Sequence, residues 1–159
     1  MKLSGCVVIL AEPGAGKTKL LEKIAESLNS ARIRANVFRN RPNMPEGEVL
    51  ILDGLDEVAK IDYSAIESIF AKASDLNPSL VVFACRASEW VAPRYKGLIK
   101  DYFGVEPTTY HLVAFNEAEQ KAFFQSIAPD CSFDAFYAQA SSVDLSPLFG
   151  NPLFLCYLL

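Results

Sequence analysis

Residues 11–18 read AEPGAGKT, a loop-forming stretch that ends in a cation and a hydroxyl, Lys17 and Thr18. Gly14 and Gly16 can take positive φ, so successive backbone N–H groups can turn inward as a nest for an anion. Pro13, Gly14, Ala15 and Gly16 therefore form a candidate phosphate cradle. A helix opening near Lys17 would add its positive dipole end. The Lys17 ammonium would reach the β- and γ-phosphates, and the Thr18 hydroxyl would ligate Mg²⁺. The segment fits Gly-x-x-x-x-Gly-Lys-Ser/Thr except at the first position, where Ala11 stands. A small residue suffices there if the backbone does not need positive φ. The plainer alternative is a Gly-rich turn with a chance lysine.

A second cluster lies in ILDGLDEV, with Asp53, Asp56 and Glu57 crowded at the end of an apolar run. Three carboxylates this close repel one another unless something positive sits among them. Mg²⁺ is held by few protein ligands, often through water, and Asp53 at a strand tip is its natural partner opposite Thr18. Gly54 would leave room beside the ion. Asp56 or Glu57 could then orient and deprotonate an attacking water; alternatively both merely cap the next segment. Arg86, in FACRASEW, would emerge at the same sheet edge as Asp53 if the two strands run parallel. It could read a γ-phosphate by bidentate hydrogen bonds, or serve only as a surface salt bridge. The single histidine, His111, alternates with apolar neighbours and reads as a strand residue; with no second histidine, neither a histidine-based metal cluster nor a Ser-His-Asp triad is expected.

These residues need elements to hold them. CVVILA (6–11) is a continuous apolar run of the kind buried in a parallel sheet. KLLEKIAESL then puts Leu20, Leu21, Ile24 and Leu28 on one helical face. ANVFRN reads as a second strand and RPNMPEGE as a loop. VLILD and SLVVFAC are further apolar strands, separated by the amphipathic YSAIESIFAKASDL. TTYHLVAF reads as another strand. Asn116 caps a helix through EAEQKAFFQSI, and the pattern from Asp130 onward is helical. Strands alternating with helices predict an α/β fold, a parallel sheet sandwiched by helices. We expect residues 1–129 to form the core and 130–159 the start of a small helical lid.

The chain is 51% apolar and 21% charged, which places it among ordinary globular proteins rather than disordered ones. Its net charge of −4 argues against nucleic acid as the main partner. Cys6, Cys85, Cys131 and Cys156 form no C-x-x-C pair. Cys6, Cys85 and Cys156 sit in apolar surroundings and read as buried free thiols, which suits a cytoplasmic location. LSGC resembles a lipoprotein cleavage box but lacks the long apolar segment before its cysteine. CVVILA and PLFLCYLL are too short to span a bilayer, so no membrane partner is expected. Arg32, Arg34, Arg39 and Arg41 read as a solvated edge, with a phosphate-rich ligand or partner as the lesser alternative.

In order, AEPGAGKT, VLILDGLDE, FACRASEW and GNPLFL resemble the NACHT-type NTPases of the STAND class, signalling NTPases of immune receptors and bacterial defence proteins. The acid–small–x–acid–acid form of the second motif is the most specific part. The resemblance implies a P-loop NTPase core of the ASCE type, with ATP or ADP and Mg²⁺ as cofactors. It implies that Lys17 and Thr18 bind phosphate and Mg²⁺, that Asp53 is the Mg²⁺ acid, and that Asp56 is a downstream catalytic acid with Glu57 beside it. Arg86 would be the sensor arginine, and Pro152 of the Gly-x-Pro motif would contact the base. The family's switching behaviour implies slow hydrolysis and homo-oligomers on activation, with effector and sensor domains outside this chain. An AAA+-like motor or a small-molecule kinase is the alternative reading.

Overall fold

The computed structural model describes residues 5–41, 48–61 and 64–159. The Pro- and Gly-rich stretch expected as a loop lies mostly outside them. The first strand, β1 (Gly5–Ala11), leads through the glycine loop into α1 (Lys17–Ser27). A three-residue strand, β2 (Arg32–Arg34), runs directly into α2 (Ala35–Asn40). Then come β3 (Val49–Asp53), α3 (Leu55–Ile61), α4 (Ser64–Asp75) and β4 (Leu80–Arg86). After a 3₁₀ turn at Ala87–Glu89, α5 (Ala92–Phe103) precedes β5 (Thr108–His111). The last stretch holds α6 (Glu117–Ile127), α7 (Phe133–Ser141), a 3₁₀ segment at Ser146–Gly150, and α8 (Pro152–Tyr157).

The five strands form one sheet in the order β2-β3-β4-β1-β5, and every pairing is parallel. The unbroken apolar runs of β1, β3 and β4 follow from this, because both faces of the sheet are covered. Val8 and Leu10, Leu50 and Leu52, and Val81, Phe83 and Cys85 share one face with Phe38 of α2 and with residues of α3, α4 and α5. The alternate residues Ile9, Ile51, Val82 and Ala84 pack on Leu21 and Ala25 of α1. The sheet is thus flanked by helices, as the alternating pattern required. Trp90 stacks on Tyr95 with ring centroids 4.5 Å apart and packs against the first of these cores.

Packing divides the chain into two compact units. One contains Met1–Glu12 and Lys17–Leu112; the other contains Pro13–Gly16 and Val113–Leu159. Helix α6, expected with the core, belongs to the second unit. Its hydrophobic centre is aromatic, with Phe124, Phe133 and Phe149 buried beside Leu155. Asn116 caps α6 as expected: its side chain accepts from Glu119 N at 3.0 Å, and Glu119 Oε2 accepts from Asn116 N at 2.8 Å. Among the described residues no helix is long and apolar enough to cross a membrane.

Two local expectations are corrected. ANVFRN is a helix, not a strand, and the strand is the preceding Arg32–Arg34. Ala35 and Phe38, three residues apart, are buried while Val37 is 40% exposed, which is helical spacing. Lys72 of α4 fastens this helix by donating to the carbonyls of Phe38 and Arg41. Cys156 is exposed: in α8 only Pro152 and Leu155 are buried.

Candidate functional site

A parallel sheet brings all strand C-termini to one edge, where α/β proteins commonly bind ligands. Here β1 ends at Ala11, β3 at Asp53 and β4 at Arg86. Strand β4 lies between the other two, with Ala11 opposite Arg86 and Asp53 opposite Ala84. Asp53 and Arg86 therefore emerge at the same edge, as expected. Ala11 is an ordinary strand residue, buried at 2% exposure, so the position needs no glycine.

Lys17 and Thr18 open α1 on this edge. Lys17 Nζ lies 3.0 Å from Asp53 Oδ1 and 3.9 Å from Asp56 Oδ1. Thr18 Oγ1 stands 3.5 Å from Asp53 Oδ2, at the long limit of a hydrogen bond. Arg32 Nη1 donates to the same Oδ2 at 3.1 Å, and Arg32 Nη2 is 3.7 Å from Glu22 Oε1. Asp56 sits in the first turn of α3, where both its oxygens receive Arg86: the backbone N–H donates to Oδ1 at 3.2 Å and Nε to Oδ2 at 3.0 Å. Asp53 and Asp56 are the two buried acids among the described residues, 7% and 2% exposed. Three cations thus neutralise two carboxylates that have little water to solvate them.

Gly54 makes this arrangement possible by conformation. Its φ is +81°, and Glu57 N donates to its carbonyl at 3.2 Å as α3 begins. The positive φ, which glycine alone adopts freely, turns the chain from β3 straight into the helix. Asp56 then points back to β4. Glu57, one helical step further round, is exposed and lines a pocket with Asn36, Arg39, Asn40 and Val58. The structure therefore brings together Lys17, Thr18, Asp53, Asp56 and Arg86, while the exposed Glu57 carboxyl lies beside Gly54, 3.3 Å from where a Cβ there would stand.

The glycine loop has the backbone that an anion nest needs: φ is +80° at Gly14 and +88° at Gly16. It packs within the second unit. Asn151 Nδ2 donates to the Pro13 carbonyl at 2.9 Å, and Asn151 Oδ1 accepts from Leu153 N at 3.0 Å to cap α8. A Cβ on Gly14 would come within 2.7 Å of Asn151 Oδ1 and 2.8 Å of Leu153 Cβ, so only glycine fits. Pro152 Cγ lies 4.0 Å from where a Cβ on Gly16 would stand.

The donor set suits a hard cation that keeps much of its own water. Asp53 Oδ1 is buried and accepts no hydrogen bond among the described residues; its 3.0 Å contact with Lys17 is one of charge without hydrogen-bond alignment. Thr18 Oγ1 lies beside the same carboxylate. No group of three or more His, Cys, Asp and Glu occurs among the described residues, so remaining ligands would come from water or a bound anion. Cys85 adjoins the cluster, but burial, reinforced by the Asp56 charge, pushes its thiol up to about 12, so it stays protonated at neutral pH.

Two residues here escaped the sequence. Arg32 belongs to the ion-pair network rather than to a solvated edge. The pairing of β2 with β3 puts it there, and no motif announces that pairing. Asn151 sits at a turn before a helix, as GNPLF suggests, and in addition clips the loop carbonyl, which no motif announces.

No family model matches the chain. No curated protein matches it. Among solved structures, one titled "Crystal structure of APE1195" aligns over 94% of this chain and 78% of its own, at 14% identity and a TM-score of 0.39. A likeness that distant carries no argument about fold or function.

Proposed function

We propose that this chain is an ATP-binding, slowly hydrolysing NTPase domain of the NACHT type, acting as a nucleotide-dependent switch in a longer signalling or defence protein. The observation that carries the reading is the pairing of Lys17 with Asp53 beside Thr18, at the C-terminal edge of a parallel sheet. An ammonium, a hydroxyl and a buried acid with one oxygen that accepts no hydrogen bond among the described residues are the groups a magnesium polyphosphate needs. The place of β4 between β1 and β3 supports a P-loop core of the ASCE type, because it sets Arg86 between the lysine-bearing loop and Asp53.

In this reading Thr18 and Asp53 hold Mg²⁺, whose charge would screen the β- and γ-phosphate oxygens. Lys17 exchanges its contact with Asp53 for the phosphates. Pro13, Gly14, Ala15 and Gly16 donate backbone N–H groups where the residue has one, Pro13 serving by its fixed φ. Arg86 reads the terminal phosphate. Asp56 and Glu57 are the candidates for the acid that orients the attacking water, and Pro152 would touch the base. ADP would favour a closed monomer and ATP an assembling form, in proportion to their differential affinity for the two states. Effector and sensor segments would lie elsewhere in the longer protein.

The test is single-turnover phosphate release from γ-labelled ATP with Mg²⁺ or with EDTA. Slow release that needs Mg²⁺ and disappears in Asp53→Ala is expected. Release equal in EDTA, or untouched by Asp53→Ala, would remove the enzymatic part of the proposal.

A further inference from the structure

Asp56 is the most enclosed charged residue described, and one neighbour uses both its oxygens. Arg86 donates its backbone N–H to Oδ1 at 3.2 Å and its Nε to Oδ2 at 3.0 Å. The backbone contact fixes where the carboxylate sits relative to β4. The side-chain contact then fixes the guanidinium, whose residue keeps a 41% exposed side chain. The arginine is thus gripped on its inner side and open to solvent on its outer side.

We infer that Asp56 is a positioning residue: it retains Arg86 and competes for it with the terminal phosphate of a nucleoside triphosphate. The inference rests on the nucleotide reading of the site and sharpens one part of it. A diphosphate makes no demand on Arg86 and binds with the pair intact. A triphosphate gains the arginine only by separating it from Asp56, so part of its extra affinity is spent on that separation. The pair therefore narrows discrimination between the two ligands and biases the resting protein toward the diphosphate form. Reciprocity requires that whatever loosens Asp56 from Arg86, such as movement of α3, also raises triphosphate affinity.

The experiment is calorimetric titration of Mg-ADP and of the Mg complex of a non-hydrolysable β,γ-imido ATP analogue. The proteins are wild type, Asp56→Asn, Arg86→Gln and the double variant. Asp56→Asn removes the competing charge and should raise the analogue-to-ADP affinity ratio about tenfold, the scale of a charge-assisted hydrogen bond. Arg86→Gln should not raise it, and the double variant should match Arg86→Gln. An unchanged ratio in Asp56→Asn, with both ligands still binding, overturns the competition and leaves the nucleotide reading standing. Failure of wild type to bind either ligand overturns both. A buried partner is being altered, so Asp56→Asn could fail to fold; wild type then decides by nitrogen-15 NMR of the Arg86 Nε–H. That signal should move when the imido analogue is added and stay in place with ADP. A signal indifferent to both ligands, with both bound, overturns the inference.

Discussion

Lys17→Met keeps most of the side-chain stem and removes the ammonium. In the structure that ammonium lies 3.0 Å from Asp53 and 3.9 Å from Asp56. At an effective dielectric near 20 each contact has a gross attraction of roughly 4 to 6 kcal/mol. Desolvation of lysine and carboxylates cancels much of it. Arg32 and Arg86 still neutralise the two acids after the change, so the loss should fall below the ~3–5 kcal/mol of orphaning a buried charge outright. We expect about 2 kcal/mol without ligand, close to a 1 M lower urea midpoint for a slope near 2 kcal/mol/M. Trp90, the sole tryptophan, lies in the first unit with the cluster, so its fluorescence reports the unit that matters. Adding Asp53→Asn should recover little of the loss, because Arg32 then lacks its buried carboxylate partner. A Lys17→Met midpoint equal to wild type, or a double variant restored to wild type, would refute the charge balance described here.

Gly14→Ala should be more damaging than Gly16→Ala in a thermal melt. Both force alanine into positive φ, at about 1–2 kcal/mol, but only at position 14 would the new methyl meet atoms at 2.7 and 2.8 Å. Thiol titration at pH 8 should find Cys131 and Cys156 reacting promptly and Cys6 and Cys85 only on unfolding, since the latter two are buried. Burial pushes both buried thiols from the ordinary 9.0 up to about 12, so the folded state holds protons there that the unfolded state releases. Their contribution is intact below pH 9 and falls as pH rises toward 12, by up to about 1.4 kcal/mol per pH unit for each thiol. Alkaline denaturation of Cys6→Ala/Cys85→Ala should accordingly be shallower than that of wild type.

What the sequence discloses follows from how the sheet is built. Strands β1, β3 and β4 are central and covered on both faces, so their apolar runs identify them without any partner known. Their shared direction then carries Asp53 and Arg86 to one edge. Short elements are another matter. ANVFRN has too few apolar residues to show a period, and the burial of Ala35 and Phe38 decides for helix. LFLCYLL is apolar throughout, so composition could not tell that Cys156 faces outward in α8. The role of Arg32 depends on a strand pairing, and the exposure of Glu57 beside a buried Asp56 depends on helical rotation after Gly54. Neither is encoded in a local motif. The boundary between the units also hides in sequence, because α6 is amphipathic wherever it packs.

For the proposed switch to work, a magnesium nucleotide must draw Lys17 away from Asp53. Isothermal titration of wild type and Lys17→Met with Mg-ADP, repeated in EDTA, measures this directly. Saturable binding by wild type, weakened by EDTA and lost in a folded Lys17→Met variant, is the predicted result. No heat of binding in folded wild type, or binding that Lys17→Met leaves unaltered, would contradict it.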